Sequence, residues 1–192
     1  GLDAVYVTTP ISSHFPIIRL IYTERIAPNI FVEKPLASNS LAAEELCNLA
    51  RDQSSVNMVG YNRRFAVTFR KAKEILDEGT LGEPVFFGGY AYSSDFLGVK
   101  ACSKTLSRGG VLRDLGCHAL DLGLWFFGKL EVDTAQLESI ISGNSEGSTY
   151  FKVKTSKGLK GEFRSSWSIR NYRLPEIGLI IKGSKGMMKV ND

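Results

Sequence analysis

The chain has 192 residues with 24 basic and 20 acidic side chains, a net charge of +4 and 43% hydrophobic residues. That suffices for one large domain or two small ones with a real core. The basic excess is spread along the sequence, which argues against a nucleic-acid-binding face. No apolar run approaches the ~20 residues of a membrane span, and no signal peptide is visible. Cys47, Cys102 and Cys117 are odd in number and widely separated, so a disulfide framework is not expected and a reducing, cytoplasmic setting fits.

The chain opens Gly-Leu-Asp-Ala-Val rather than on Met, and is expected to begin inside a longer protein. Residues 3–9 read as a short buried strand that ends in a polar turn at Pro10. Ser12 or Ser13 can cap a helix to about Arg25 whose apolar face is Ile17, Ile18, Ile21 and Tyr22. Residues 29–33 make a second strand, followed at once by Lys34-Pro35. Asn39 or Ser40 caps a helix to about Asp52, and 56–61 is a third strand. A basic helix follows from about Phe65 to Asp77. Strand, helix, strand, helix, strand with short loops is the pattern of a parallel sheet with helices on its faces. Such sheets usually begin with a Gly-x-Gly-x-x-Gly turn that holds a pyrophosphate, and none occurs in this sequence.

Beyond residue 84 the pattern changes. Residues 84–93 look like a strand, 94–108 are an irregular polar loop, and 109–128 form a helix. Strands then alternate with turns over about 131–142, 149–155, 159–169, 176–182 and 186–190, with turns at Gly143-Asn144, Lys157-Gly158, Pro175 and Gly183-Ser184. This reads as an antiparallel sheet, with Tyr150, Lys152 and Lys154 opposite in face to Phe151 and Val153. Ligands of such proteins sit outside the carboxyl ends of the parallel strands and at domain junctions. Thr8-Thr9-Pro10, Glu33-Lys34-Pro35 and Tyr61-Asn62-Arg63-Arg64 all lie at strand carboxyl ends.

The helix of 109–128 carries the chemistry. On a wheel of ~100° per residue, Asp114, His118 and Asp121 fall within roughly 60° of arc. Leu115, Ala119, Leu122 and Phe126 form a second stripe, and the rest of the cylinder is largely apolar. Ionisable groups on so buried a helix are costly unless paired or lining a cavity. They read as the polar wall of a site.

Glu33-Lys34-Pro35 after a strand, Tyr61-Asn62-Arg63-Arg64-Phe65, and then Gly109-Gly110-x-x-x-Asp114-x-Gly116-x-His118-x-x-Asp121 resemble the Gfo/Idh/MocA oxidoreductases. These NAD(P)-dependent enzymes act mostly on sugars, sugar derivatives and cyclitols. The resemblance covers essentially the whole chain, less the family's first strands and glycine-rich loop, on the order of 60 residues if two βα units are missing. It implies α/β plus α+β architecture: over 1–62 the C-terminal part of a Rossmann-type dinucleotide-binding domain, and over 63–192 a mostly antiparallel open-sheet domain with helices on one face. That second domain binds substrate, mediates oligomerisation, and is expected to be cut short at its C-terminus.

Hydride transfer from an alcohol carbon needs a base for the hydroxyl proton, stabilisation of the developing oxyanion, and a fixed approach. His118 is the natural base, with an unperturbed pKa near ~6.5. Lys34 can stabilise the alkoxide and contact the cofactor, and Asp114 can hydrogen-bond an adjacent hydroxyl. The resemblance implies these same roles. It also suggests Thr8, Thr9, Pro10 and His14 on the cofactor side. Glu33 meets either a cofactor ribose or a helix end. Arg63 and Arg64 contact substrate hydroxyls or a phosphate, or pair with acidic groups. Asp121 reads as structural, holding a neighbouring loop or His118. Tyr92, Trp167 and Tyr172 read as sheet or interface aromatics, and no metal site is expected. The expected partners are NAD or NADP, a sugar or polyol, and further copies of the chain in a homodimer or homotetramer through the antiparallel sheet. Nucleic acid and membrane are not expected. Without the glycine-rich loop this chain alone is expected to be weakly active or inactive. The alternative is a non-catalytic binding or oligomerisation module that keeps the fold.

Overall fold

The computed structural model describes residues 1–51, 56–98, 109–142 and 145–192. They form two compact units, Gly1–Tyr61 and Asn62–Asp192. The 99–108 part of the predicted loop, Cys102, and the Gly143-Asn144 turn lie outside the described residues.

The first unit contains β1 (Ala4–Val7), α1 (Ile11–Thr23), β2 (Asn29–Val32), α2 (Ser40–Arg51) and β3 (Asn57–Val59). The strands pair in parallel in the order β1-β2-β3. Val7, Val32, Ile18, Ile21, Ile30 and Leu46 build its core. Tyr22 closes the far side, its hydroxyl donating to Asn57 Oδ1 at 2.5 Å. Asn39 caps α2 as expected, its Oδ1 accepting the Ala42 N–H at 2.9 Å. The start of α1 differs from expectation. Pro10 is the residue before the helix, with φ −60° and ψ 144°, and Ser12 and Ser13 already lie inside it. Ser13 Oγ instead turns back, 2.7 Å from Pro10 O and 2.8 Å from Thr9 Oγ1. A proline needs no partner for the N–H it lacks, so the entry is shaped by ring geometry more than by a serine cap.

The second unit opens with a 3-10 turn, Asn62–Phe65, ahead of α3 (Val67–Asp77), the basic helix expected from about Phe65. β4 (Pro84–Tyr92) follows. A π-helical turn, Leu112–Gly116, then runs into α4 (Cys117–Phe127). The remaining strands are β5 (Leu130–Ser142), β6 (Ser145–Thr155), β7 (Lys160–Ser166), β8 (Glu176–Gly183) and β9 (Met187–Asn191). Their order is β5-β6-β7-β4-β8-β9. Every neighbouring pair is antiparallel except β4 with β7. That parallel pair needs a long crossover, and the helix between β4 and β5 supplies it. Alternation along a strand records which face is buried but not the direction of its neighbour, so this pair was not legible in the sequence.

The core lies between one sheet face and α4. Phe87, Phe151, Val153, Phe163, Leu179 and Ile181 meet Leu115, Ala119, Leu122 and Phe126. Two glycines let the helix come close. A Cβ on Gly116 would lie 2.5 Å from Ser165 Oγ, and one on Gly123 2.4 Å from the Phe163 ring. The other sheet face is polar and aromatic. Arg164 sits 4.6 Å over the Tyr150 ring, Tyr90 stacks on Tyr92 at 5.1 Å, and Tyr172 meets Tyr92 edge-on at 5.4 Å. The Tyr90 hydroxyl donates to Glu176 Oε1 at 2.6 Å. Burial first, then this bond, pushes the Tyr90 phenol well above its usual range, while the same bond holds the Glu176 carboxyl below its own. Among the described residues no helix is long and apolar enough to cross a membrane.

Candidate active site

In the first unit, the register aligns the ends of the parallel strands. Val7, Val32 and Val59 pair across the sheet, so the turns at Thr8–Pro10, Glu33–Pro35 and Gly60–Tyr61 leave one edge side by side. This is the crevice in which open α/β sheets take ligands. Thr8, Thr9 and Pro10 are exposed there, and Lys34 is half-buried. The Lys34–Pro35 peptide is cis.

His14 ties two of these turns together. It is buried, with Nε2 2.8 Å from Thr9 O and Nδ1 3.0 Å from Pro35 O. Both ring nitrogens are therefore committed to backbone carbonyls, and only an imidazolium could donate to both. The ring thus ties the Thr8–Pro10 turn to the Glu33–Pro35 turn. Glu33 is also used locally. Its Oε2 accepts the Lys34 N–H at 3.3 Å, and a Cβ on Gly60 would lie 3.2 Å from that same oxygen. Neither a ribose nor a helix end is needed to explain where its carboxylate points.

In the second unit, His118 and Asp121 are buried on α4, three residues apart. Asp114 lies half-buried in the π turn before them. The Cys117 N–H reaches back to Leu112 O, an i→i−5 bond that widens the turn by roughly one residue. The α-helical wheel that aligned Asp114 with His118 and Asp121 therefore does not hold through this turn. Asp114 and His118 remain neighbours in chain, but their relation is set by a π turn, a geometry that recurs at functional sites.

Asp121 is structural, as its sequence context suggested. It accepts two hydrogen bonds from Arg64, from Nε at 2.7 Å and from Nη2 at 2.6 Å, which clamp the 3-10 turn to the helix bearing His118. Arg63 Nε lies 2.7 Å from Asp192 Oδ2, and Asp192 also accepts the Ile177 N–H. Both arginines expected at a substrate thus bring their charge to a carboxylate of the same unit. Of the alternatives the sequence left open for them, pairing with acidic groups is the one these contacts match, within one unit. The Asp121 side chain is 10% exposed but that of Arg64 38%, so solvent recovers part of what breaking the pair would cost. A double-mutant cycle of Arg64→Ala and Asp121→Ala in urea unfolding should give a coupling energy of about 1–2 kcal/mol. Additive losses would mean the pair holds nothing.

Glu146 was not legible in the sequence. From β6 its Oε1 accepts the Leu112 N–H at 3.0 Å, at the start of the helix and 34 residues away. The only local sign is Gly109-Gly110, with φ of +71° and +100°. Among the described residues, no group of three or more His, Cys, Asp or Glu side chains could hold a metal ion.

Known proteins place this arrangement. Residues 1–61 match the family model described as "Oxidoreductase family, NAD-binding Rossmann fold", and residues 69–189 match "GFO/IDH/MocA C-terminal domain". The chain belongs to the Gfo/Idh/MocA family. Among curated members of this family, scyllo-inositol 2-dehydrogenase (NAD(+)) of Bacillus subtilis is 28% identical over 128 residues, 67% of this chain and 36% of that protein. D-xylose 1-dehydrogenase (NADP(+)) of Haloarcula marismortui is 31% identical over 123 residues, 64% of this chain and 33% of that protein. The crystal structure of an NAD binding oxidoreductase from Klebsiella pneumoniae superposes with a TM-score of 0.88 at 24% identity, over 98% of this chain and 54% of that one. The matches therefore span little more than a third of the curated Gfo/Idh/MocA relatives and about half of that structure.

Proposed function

We propose that this protein is an NAD(P)-dependent dehydrogenase or reductase acting on a hydroxyl of a sugar, sugar derivative, polyol or cyclitol. The observation that carries the reading is His118, buried on a helix that begins with a π turn holding Asp114. Membership of an oxidoreductase family whose relatives include dehydrogenases of inositols and xylose supports it.

The nicotinamide, when bound, supplies the hydride acceptor or donor. The chain's own residues do the rest. His118 takes the hydroxyl proton on oxidation and returns it on reduction. Asp114 accepts a hydrogen bond from an adjacent substrate hydroxyl. Lys34, in the turn after β2 of the first unit, is the residue there that would contact the cofactor. Thr8, Thr9 and Pro10 form the exposed lip that would take the nicotinamide ribose, held in shape by His14. Arg63 and Arg64 already face carboxylates, which favours an uncharged polyhydroxyl substrate over a phosphorylated one. The polar sheet face with Tyr90, Tyr92, Tyr150 and Arg164 is assigned to contact between copies, in a homodimer or homotetramer, and Cys47 and Cys117, in no disulfide among the described residues, suit a reducing compartment.

The test is a panel of neutral cyclitols, polyols and aldoses offered to the intact protein with NAD or NADP, read by nicotinamide absorbance. Turnover of at least one member is expected. A protein that binds neither NADH nor NADPH and turns over nothing would be the non-catalytic module instead.

A further inference from the structure

We propose that Glu146 is a positioning residue for the reacting groups: its carboxylate caps the π turn and thereby sets where Asp114 and His118 point. This rests on the reading of those two residues given above.

The start of this helix has no cap of its own. Gly109 and Gly110 have no side chains, Val111 has an apolar one, and among the described residues the N-cap position makes no side-chain cap bond. The first turn of a helix leaves its N–H groups without partners and concentrates positive potential there. Glu146 answers both needs from across the sheet, accepting the Leu112 N–H at 3.0 Å with a charged oxygen. Its strand, β6, pairs with β5 at Glu146 itself, opposite Ile140, and with β7 from Ser148 onward.

Two further observations make this contact specific. A Cβ on Gly110 would lie 2.2–2.4 Å from Oε2, Cδ and Oε1 of Glu146, so the second glycine of the pair is the space the carboxylate occupies. Leu112 is also the hinge of the π turn. Its N–H goes to Glu146, while its carbonyl receives the Cys117 N–H, one residue before His118. The Asp114 N–H, two residues on from the capped one, goes to Gly110 O at 3.0 Å. Glu146 therefore holds the residue whose carbonyl closes the turn, and a turn released at this point moves Asp114 relative to His118. Displacements of that kind, near 1 Å, cost up to about 100-fold in rate.

The experiment compares Glu146→Ala and Glu146→Gln in the intact protein, with kcat, KM, the Kd for NADH, and amide hydrogen exchange over residues 110–118. Glu146→Ala should exchange faster in this segment but not in the sheet, and should lower kcat by about 10- to 100-fold with KM and Kd within about twofold. Glu146→Gln keeps an acceptor oxygen at the same reach and should restore kcat to within about threefold of the parent. Should the alanine variant not fold, Glu146→Asp, one methylene short of the Leu112 N–H, carries the same expectation as alanine. Unchanged exchange, unchanged kcat, or a glutamine variant as impaired as alanine would each overturn the proposal. His118→Ala run in parallel separates the two ideas. If it keeps full turnover, the catalytic reading itself fails; if it loses turnover while Glu146→Ala does not, only the positioning role falls.

Discussion

Replacing His118 by alanine in the intact protein should lower kcat by about 10²–10⁴-fold, with the Kd for NADH changed by less than about twofold. The magnitude follows from the step removed. An alcohol is a poor hydride donor until its proton begins to leave, and imidazole is the side chain best matched to take that proton near neutrality. The selectivity follows from the fold. His118 belongs to α4 of the second unit, whereas the turns assigned to the nicotinamide ribose leave β1 and β2 of the first. The loss should therefore fall on kcat, the mark of a group that acts in the transition state. Circular dichroism guards against a trivial cause, since removing a buried ring leaves a cavity. Added imidazole should restore part of the lost rate, because the deleted ring leaves a cavity. Single-turnover nicotinamide absorbance indistinguishable from the parent would remove His118 from the mechanism.

How far such a site can be read without coordinates depends on the range of the contacts that build it. The βαβαβ order, the Asn39 cap and the buried stripe of Leu115, Ala119, Leu122 and Phe126 are set by neighbours three or four residues away, and these follow from spacing alone. Asp121 was legible as structural for a related reason: a carboxylate on an apolar helix needs a partner. That a partner is Arg64 depends on a contact 57 residues apart, which periodicity does not encode. The same limit hid Glu146, His14's two carbonyls and the parallel pairing of β4 with β7. The π turn is a subtler case. The hydrophobic spacing through 111–119 suits an α-helix, and Gly116 within it lies close against Ser165. A wheel drawn at constant angle cannot show a local change of pitch. The helix was legible from its spacing, while the mutual orientation of its polar residues was not.

The largest effect on stability should come from Phe163, and it reaches the site through α4. Phe163 is 1% exposed. Its ring stacks on Phe151 at 5.3 Å and meets Phe87 edge-on at 6.1 Å. It fills the space above two glycines, since a Cβ on Gly89 or on Gly123 would lie 2.4 Å from it. Phe163→Ala should cost about 3–5 kcal/mol of unfolding free energy, seen as a lower urea midpoint for the second unit. Gly123→Ala is the sharper test, because two effects oppose each other. Alanine gains about 1 kcal/mol of helix propensity over glycine, but the new methyl meets a ring that Gly89 on the strand side leaves no room to retreat, an overpacking cost of about 1–3 kcal/mol. The clash should win and Gly123→Ala should destabilise. Combining it with Phe163→Leu, which withdraws the ring, should recover stability relative to Gly123→Ala alone, a coupling expected only of side chains in contact. A stabilised Gly123→Ala would mean the helix can ride outward at no cost. In that event the distance of α4 from the sheet would not be fixed by this ring, and the placement of His118 would rest on the Arg64 clamp and the Glu146 cap alone.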